Sequence, residues 1–195
     1  MKLSDSGSSM LRVITGSAKN KRLLVPANVT RPITDRIKTS LFDIIKDLVP
    51  RSRVLDLFAG SGALGIEALS RGASSAVFVD NNPQAIKIIN KNLNNCGLLD
   101  NTAVYQQDVT EFLSSQSNRG QFQIIFLDPP FSLPQDQKLE LADLCSRVLE
   151  ISGLLVLRYP EKENYPHIYK NLEKKFTKLY GISEVSFYQK QNAVS

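Results

Sequence analysis

Cysteine and histidine are scarce in this chain of 195 residues, which has two cysteines and one histidine. Cys96 and Cys145 do not have the spacing of a metal or redox motif, so we expect neither kind of site. Isolated cysteines fit a reducing cytoplasm best. We assign no special role to His167, which lies in a polar stretch.

Long hydrophobic runs are also absent. No stretch approaches the roughly 18 apolar residues that a membrane-spanning helix needs, so we expect no membrane association. Residues 1–9 are polar and have no apolar signal-peptide core, which predicts a disordered lead-in. The hydrophobic content of 42% suits one globular domain, which we expect to be monomeric.

Positive charge is concentrated at one end of the chain. Residues 1–53 hold eleven Lys and Arg against four acidic residues, whereas residues 54–195 hold thirteen against fifteen. An excess of this kind favours a polyanion partner, because Lys and Arg that neutralise phosphates release counterions. A solvated basic surface without a partner would explain the charge equally well.

The same end is predicted to form an extension of residues 10–50, followed by the main domain of residues 51–195. Two short apolar runs, Met10 to Thr15 and Arg22 to Val25, predict a β-hairpin with a basic tip. Thr34 can cap a helix that follows, and apolar residues recur from Ile37 to Leu48 at helical spacing.

From Arg53 onward, apolar strand-like runs alternate with helical segments. This alternation predicts an α/β fold whose mostly parallel sheet has helices on both faces, closed by an antiparallel strand after Gly181. The predicted strands are Val54 to Phe58, Ser75 to Val79, Thr102 to Gln106, Phe122 to Leu127, Leu154 to Leu157, Phe176 to Tyr180 and Glu184 to Tyr188. The predicted helices are Ala63 to Arg71, Pro83 to Cys96, Leu139 to Leu149 and Tyr165 to Lys175.

A glycine-rich turn follows the first strand, where Gly60, Gly62 and Gly65 match G-x-G-x-x-G. In a strand-turn-helix context this pattern indicates a nucleotide-type ligand. Asp56, which precedes the loop, would repel a pyrophosphate but suits the ammonium group of S-adenosylmethionine. We therefore favour that cofactor over a nicotinamide dinucleotide, with Phe58 also at the site.

Acidic residues follow the next two strands as well. Asp80, beside Asn81, is placed to accept hydrogen bonds from ribose hydroxyls, which either cofactor would supply. Asp108 can accept from an adenine amino group, with Val109 beside the ring. Asp108 is also a good N-cap for the helix that contains Glu111, and both roles are compatible.

The fourth strand ends in Asp128-Pro129-Pro130-Phe131, the most specific pattern in the chain. Two prolines make a stiff corner that presents a carboxylate, the carbonyl of Pro129 and an aromatic ring. By accepting hydrogen bonds from both hydrogens of an aromatic amine, the two acceptors can draw its nitrogen toward tetrahedral geometry, while Phe131 stacks on the base. Such a base must be unpaired or flipped out of its helix.

Together these motifs resemble the bacterial small-subunit ribosomal RNA guanine-N2 methyltransferases, the RsmD family. The resemblance rests on the segment 11–16, on Lys21-Arg22-Leu23, on the segment 31–42, on the glycine loop with its helix and on the corner at Asp128. It implies a Rossmann-like seven-stranded methyltransferase sheet with an N-terminal hairpin extension. It also implies S-adenosylmethionine as cofactor and 16S ribosomal RNA in the assembled small subunit as substrate.

The resemblance assigns the candidate residues to three groups. Asp56, Gly60, Asp80 and Asp108 would surround the cofactor, and Asp128, Pro129 and Phe131 would hold the guanine amino group. The RNA candidates are Arg12, Lys19, Lys21, Arg22, Arg31 and Arg36. The family often has an acidic residue where this chain has Arg158, and a second glycine where it has Ser17.

Other functions remain open on the sequence. The corner at Asp128 fits adenine N6 or cytosine N4 as well as guanine N2, so only the N-terminal resemblance favours guanine. The glycine pattern also leaves a nicotinamide-dependent oxidoreductase possible. A third alternative is an inactive RNA-binding module that retains the fold.

Overall fold

A computed structural model describes residues 11–26, 33–116 and 121–192. The helices are α1 (Asp35–Ile44), α2 (Ala63–Ser70), α3 (Pro83–Cys96), α4 (Val109–Ser115) and α5 (Gln135–Val148). The strands are β1 (Arg53–Leu57), β2 (Ser75–Asp80), β3 (Thr102–Gln106), β4 (Phe122–Leu127), β5 (Leu149–Pro160), β6 (Ile168–Tyr169), β7 (Leu172–Tyr180) and β8 (Ser183–Lys190).

The strands form one sheet in the order β3-β2-β1-β4-β5-β8-β7-β6. The first five strands in this order pair in parallel, and β8 then pairs with β5 in the antiparallel direction. The predicted fold class, a mostly parallel α/β sheet with an antiparallel closing strand, is therefore confirmed.

Side chains of the central strands point alternately to the two faces of the sheet, where they pack into two hydrophobic cores. Val54 and Phe126 belong to a core that also includes residues of α1, α2 and α3, whereas Leu55 and Leu127 face residues of α4 and α5. Helices thus cover both faces, which is why the central strands are apolar on both sides. The parallel order also brings the carboxyl ends of β1, β2 and β4 to one edge of the sheet.

The predicted helix from Tyr165 to Lys175 is wrong. This segment forms β6 and the start of β7, which pair through Tyr169 and Leu172 across a two-residue turn. Lys170 in that turn has a φ of 53°, a left-handed conformation that no α-helix allows. Leu172 packs in the core as a strand residue, whereas Ile168 is exposed.

Several element boundaries also differ from the sequence prediction. Helix α1 ends at Ile44, and Leu48 is exposed rather than part of its buried face. Strand β5 extends well beyond the predicted Leu154–Leu157, and its partner β8 runs past Tyr188 to Lys190. Counting β6, the described residues form a sheet of eight strands instead of seven.

The N-terminal hairpin is present in reduced form. An antiparallel bridge joins Arg12 and Arg22, and the N–H of Leu23 donates to the carbonyl of Leu11 at 2.8 Å. Met10 lies outside the described residues. The division into an extension and a main domain remains a prediction, because the hairpin packs directly on α2.

The hairpin is attached by buried polar groups that we call the hairpin dock: Glu67 and Ser70 of α2 and Lys38 of α1. Both oxygens of Glu67 accept backbone N–H groups, from Ile14 at 2.7 Å and Thr15 at 3.1 Å. Gly16 is required here, because a Cβ in its position would lie 1.7 Å from the carbonyl oxygen of Ser70. The extension is therefore held against the helix that begins at the glycine loop.

Within the described residues, no helix is long and apolar enough to span a membrane. The same residues contain no group of three or more His, Cys, Asp or Glu side chains arranged to hold a metal ion.

Candidate active site

A cavity of about 660 Å³ opens where β1, β2 and β4 end. This is where ligands bind in open parallel sheets. Nine of the residues predicted for the cofactor and the transfer reaction line it together: Asp56, Phe58, Gly60, Asp80, Asn81, Asp128, Pro129, Pro130 and Phe131. The sequence motifs, which lie far apart in the chain, therefore converge on one volume.

The glycine loop forms one wall of this cavity. Phe58 has a φ of 55°, a strained conformation for a bulky residue, and it turns the chain sharply out of β1. Gly62 does not line the cavity. It is the N-cap residue of α2, and its N–H donates to the carbonyl of Ala59 at 2.7 Å. Gly65 lets α2 lie close to β2, because a Cβ there would lie 2.3 Å from the ring of Phe78.

Asp56, near the end of β1, is buried under this loop. Its Oδ2 accepts the N–H of Gly65 at 2.9 Å. Burial is the main cause that raises the pKa of this carboxyl to about 8; the N–H of Gly65 opposes the rise, and the nearby carboxylates of Asp128 and Asp80 add to it. Proximity of several carboxylates therefore makes this end of the cavity suited to a cation.

Asp80, at the end of β2, holds two stretches of backbone in place. Its Oδ2 accepts the N–H of Gly60 at 2.8 Å, and its Oδ1 accepts the N–H of Asn82 at 2.9 Å. Each carboxylate oxygen can accept a second hydrogen bond. Asp80 can therefore receive hydroxyl donors in the cavity while it maintains the loop, and Asn82 caps α3 beside it.

Asp108 and Val109 lie outside the cavity lining. The Oδ1 of Asp108 accepts the N–H groups of Thr110 at 2.8 Å and Glu111 at 3.2 Å, so the predicted N-cap of α4 is present. Val109 is buried in the core on the α4 and α5 side. Their predicted contact with an adenine ring remains a prediction.

The Asp128 corner forms the opposite wall. The N–H of Leu133 donates to the carbonyl of Pro130 at 2.9 Å and closes a tight turn directly after β4. Asp128 lies just before this turn, and burial raises the pKa of its carboxyl. Carboxylate, proline carbonyl and aromatic ring thus stand side by side on a rigid backbone.

Arg158 is a site residue to which sequence reasoning assigned no role. It lies in the buried part of β5, next to β4, and its guanidinium contacts Asp128 and Phe131. From the sequence, the only visible sign is that an arginine follows a fully apolar strand segment. That Arg158 meets Asp128 depends on the register of two strands, which the sequence does not specify.

The N-terminal extension also lines the cavity, a contribution that sequence reasoning missed. Val25 and Ile33 lie in its wall. Buried Asn92 of α3 links this segment to the glycine loop, because its amide exchanges hydrogen bonds of 2.8 and 2.9 Å with the backbone of Leu24 and donates to the carbonyl of Ser61 at 2.9 Å.

Five of the six RNA candidates are exposed, and the sixth, Arg31, lies outside the described residues. Lys19 and Lys21 are at the hairpin tip, and Arg12 and Arg22 form its bridge. Arg36 is on α1, close to Lys178 of β7. Arg12 is paired with Asp35 at 3.3 Å, but its side chain is still 59% exposed.

Three carboxylates line the cavity, and this charge bears on the ligand. Asp56, Asp80 and Asp128 come from three adjacent strands of the sheet. A pyrophosphate would bring two negative charges into a partly desolvated acidic site, where like charges repel strongly. A ligand with positive groups and hydroxyls fits the same residues without that penalty.

Comparison with protein families identifies one family over almost the whole chain. The family model described as conserved hypothetical protein 95 matches residues 11–189. The chain is similar to YlbH of Bacillus subtilis, with 38% identity over 186 residues that cover 93% of this chain and 100% of that protein. It is also similar to ribosomal RNA small subunit methyltransferase D of Escherichia coli K12, with 32% identity covering 95% and 93%.

Solved structures give the same fold. The Escherichia coli protein yhhF superposes with a TM-score of 0.80 at 28% identity, covering 93% of this chain and 98% of that one. A protein of Thermus thermophilus superposes with a TM-score of 0.77 at 32% identity, covering 90% and 97%.

Proposed function

Because the chain belongs to the family of conserved hypothetical protein 95, the RsmD family of methyltransferases, we propose that it methylates ribosomal RNA. The methyl group passes from S-adenosylmethionine to the exocyclic N2 of one guanine in 16S ribosomal RNA, within the assembled small subunit. Relatives named ribosomal RNA small subunit methyltransferase D support this substrate.

The acidic cavity is the observation that carries the proposal. S-adenosylmethionine has a sulfonium and an ammonium group, and the cavity offers the carboxylates of Asp56, Asp80 and Asp128. Asp56 suits the ammonium, and Asp80 suits the ribose hydroxyls because its oxygens retain acceptor capacity. When bound, this cofactor supplies an electrophilic methyl group, and the protein supplies orientation and electrostatics.

The Asp128 corner is the proposed substrate end of the site. The lone pair of a nucleobase amine is delocalised into the ring, so the amine is a poor nucleophile. Asp128 and the carbonyl of Pro129 accept hydrogen bonds from the two N–H groups of the amine. These bonds favour tetrahedral geometry at the nitrogen and localise its lone pair. Asp128 also stabilises the positive charge that the nitrogen gains, and Phe131 stacks on the base.

The basic hairpin is the proposed RNA contact. Lys19, Lys21 and Arg22 are exposed on an extension that also reaches the cavity wall through Val25. Phosphate contacts on the hairpin would therefore orient the RNA while a loop nucleotide enters the cavity. Arg12 and Arg36 extend the same surface, and we propose that Arg31 contacts the RNA as well.

Nucleoside analysis tests this proposal. Unmethylated small subunits and naked 16S RNA are incubated with enzyme and methyl-labelled S-adenosylmethionine, then digested and separated. We expect label in N2-methylguanosine, with subunits preferred over naked RNA. Label in N6-methyladenosine or N4-methylcytidine would refute the base assignment.

The variant Asp128→Asn tests the role of this carboxylate in methyl transfer. We expect transfer to fall by about 10²- to 10⁴-fold, because the amide retains the shape but lacks the acceptor charge. Binding of S-adenosylhomocysteine and of RNA should persist in calorimetry. Wild-type protein that binds both ligands but never turns over would indicate an inactive binding module, and binding of NADH alone would indicate an oxidoreductase.

A further inference from the structure

Arg158 makes a close contact with the carboxylate proposed for transfer. Its Nη1 lies 2.9 Å from Oδ2 and 3.2 Å from Oδ1 of Asp128, so one guanidinium nitrogen bridges both oxygens. The centre of the same guanidinium is 5.2 Å from the centroid of the Phe131 ring, within the range of cation–π attraction. One side chain therefore contacts both the acceptor and the stacking group.

The sheet register explains why these groups meet. Leu127 and Leu157 are partners in the parallel pair of β4 and β5, so Asp128 and Arg158 are the next residues on neighbouring strands. The Arg158 side chain is only 8% exposed and that of Asp128 22%. At this burial a lone charge would be poorly solvated, so each group depends on the other.

We propose that Arg158 is a positioning residue for methyl transfer: it fixes the Asp128 carboxylate against Phe131 and keeps that carboxylate ionised, so that Asp128 can accept a hydrogen bond from the target amine. The role rests on the proposed function. Arg158 need not touch the methyl group or the cofactor. It acts through the geometry and charge of Asp128.

The charges around Asp128 explain why its carboxylate needs a neighbouring cation. Asp56 from β1 and Asp80 from β2 share the cavity with Asp128, whereas Arg158 from β5 is a buried cation in direct contact. Burial raises the pKa of Asp128, and Arg158 lowers it through its charge and its hydrogen bond. Without Arg158 the carboxyl would retain its proton to higher pH, and a protonated carboxyl oxygen loses acceptor capacity.

The test compares Arg158→Gln, Arg158→Lys and the control Arg147→Gln. Arg147 also pairs with an aspartate, Asp143 at 2.8 Å, but on the surface of α5. Two readouts are used: the pH profile of kcat/KM for RNA, and the pH titration of the Asp128 carboxyl followed by carbon-13 NMR of aspartate-labelled protein. Asp128→Asn assigns the resonance.

For Arg158→Gln we expect kcat/KM to fall about tenfold or more at neutral pH and to recover as pH rises. The Asp128 resonance should titrate at higher pH than in wild type, and KM for S-adenosylmethionine should stay nearly unchanged. Arg158→Lys should keep the wild-type pH profile with a lower kcat, because ammonium retains the charge but lacks the planar guanidinium that lies over Phe131. The control should change none of these.

An unchanged pH profile and an unchanged Asp128 titration in Arg158→Gln would overturn the role. Should that variant fail to fold, Arg158→Lys decides, since a wild-type kcat there would also overturn it. Failure of the proposed function looks different. If the Asp128 titration shifts as expected but the methyl group is found on adenine or cytosine, the role of Arg158 stands and the guanine assignment falls.

Discussion

The hairpin dock and the cavity both adjoin α2, but they neutralise their buried carboxylates differently. In the dock, Glu67 is fully buried and has two cations nearby, Arg71 at 2.7 Å and Lys38 at 3.6 Å. In the cavity, the groups that act on Asp56 are the N–H of Gly65 and two further carboxylates. Glu67 therefore has its counter-charges within the protein, whereas Asp56 is buried beside like charges, which favours a cationic ligand.

This difference separates a structural carboxylate from a functional one. Glu67 has two cations and two N–H donors on its oxygens, which leaves it little capacity to bind anything else, whereas Asp128 is paired with one cation, Arg158, and still lines the cavity. A buried acid near other acids has a raised pKa and a strong preference for an added cation. Burial alone does not distinguish the two cases, but the partners do.

Glu67→Gln should give the largest effect, on stability. The substitution leaves Lys38 with less compensation and places an amide donor against the N–H groups of Ile14 and Thr15. We expect the free energy of unfolding to fall by about 3–5 kcal/mol, the usual effect of removing one partner of a buried ion pair. Urea unfolding at neutral pH measures it.

The control for this change is Glu150→Gln. Glu150 pairs with Arg53 on the surface. The side chain of Glu150 is 34% exposed and that of Arg53 is 47% exposed. An exposed pair is worth about 1 kcal/mol or less. If both variants lose equally little stability, the dock is not the rigid attachment that its contacts indicate.

The pH dependence of cofactor binding should give the next largest effect. With a pKa of about 8, Asp56 in the free protein is protonated at lower pH and must release that proton before it can pair with an ammonium group. Affinity for S-adenosylhomocysteine should therefore rise with pH up to about 8, by at most about tenfold per unit, and then level off. Calorimetry in buffers of different ionisation enthalpy should detect the released proton.

Asp56→Asn should abolish this slope. The amide oxygen can still accept the N–H of Gly65, so the loop is retained, but no proton is released on binding. Affinity should equal that of wild type at low pH and fall below it near pH 8. Asp100→Asn, which changes an exposed acid, should keep the wild-type slope. A wild-type slope in Asp56→Asn would mean that another group provides the proton.

The carboxylates of the candidate site were more predictable from sequence than the carboxylate of the hairpin dock. Asp56, Asp80 and Asp128 follow apolar strands, and the rule that parallel strands end at one edge places them together. Glu67 was not singled out, because a glutamate in a helix gives no local sign that a hairpin will cover it. The resemblance to the RsmD family is confirmed over residues 11–189.

Features that depend on long-range register could not be predicted. Arg158 meets Asp128 through the pairing of β4 and β5, and Asn92 binds Leu24 across 68 positions in the chain. The wrongly predicted helix near Lys170 has a related cause, because the pairing of β6 with β7, and of β7 with β8, is likewise set by the folded sheet. Local motifs therefore indicated the chemistry, and the contacts that position it required the structure.

Reversal of charge at the hairpin tip should give the smallest effect, on RNA binding. Lys21→Glu/Arg22→Glu removes two exposed cations without touching the dock, so the fold and the cofactor affinity should persist. Each lost phosphate contact should reduce the slope of log K against log salt by about 1. Filter binding of 16S RNA between low and moderate salt measures this slope.

The control is Arg53→Glu/Arg147→Glu, which reverses two exposed charges, one at the start of β1 and one in the last turn of α5. Both double variants change the net charge equally, so a general electrostatic effect would weaken RNA binding in both. A flatter slope in the hairpin variant alone would locate phosphate contacts on the hairpin. Equal slopes in the two variants would remove the hairpin from the RNA surface, and the dock would then serve only to hold Val25 and Ile33 in the cavity wall.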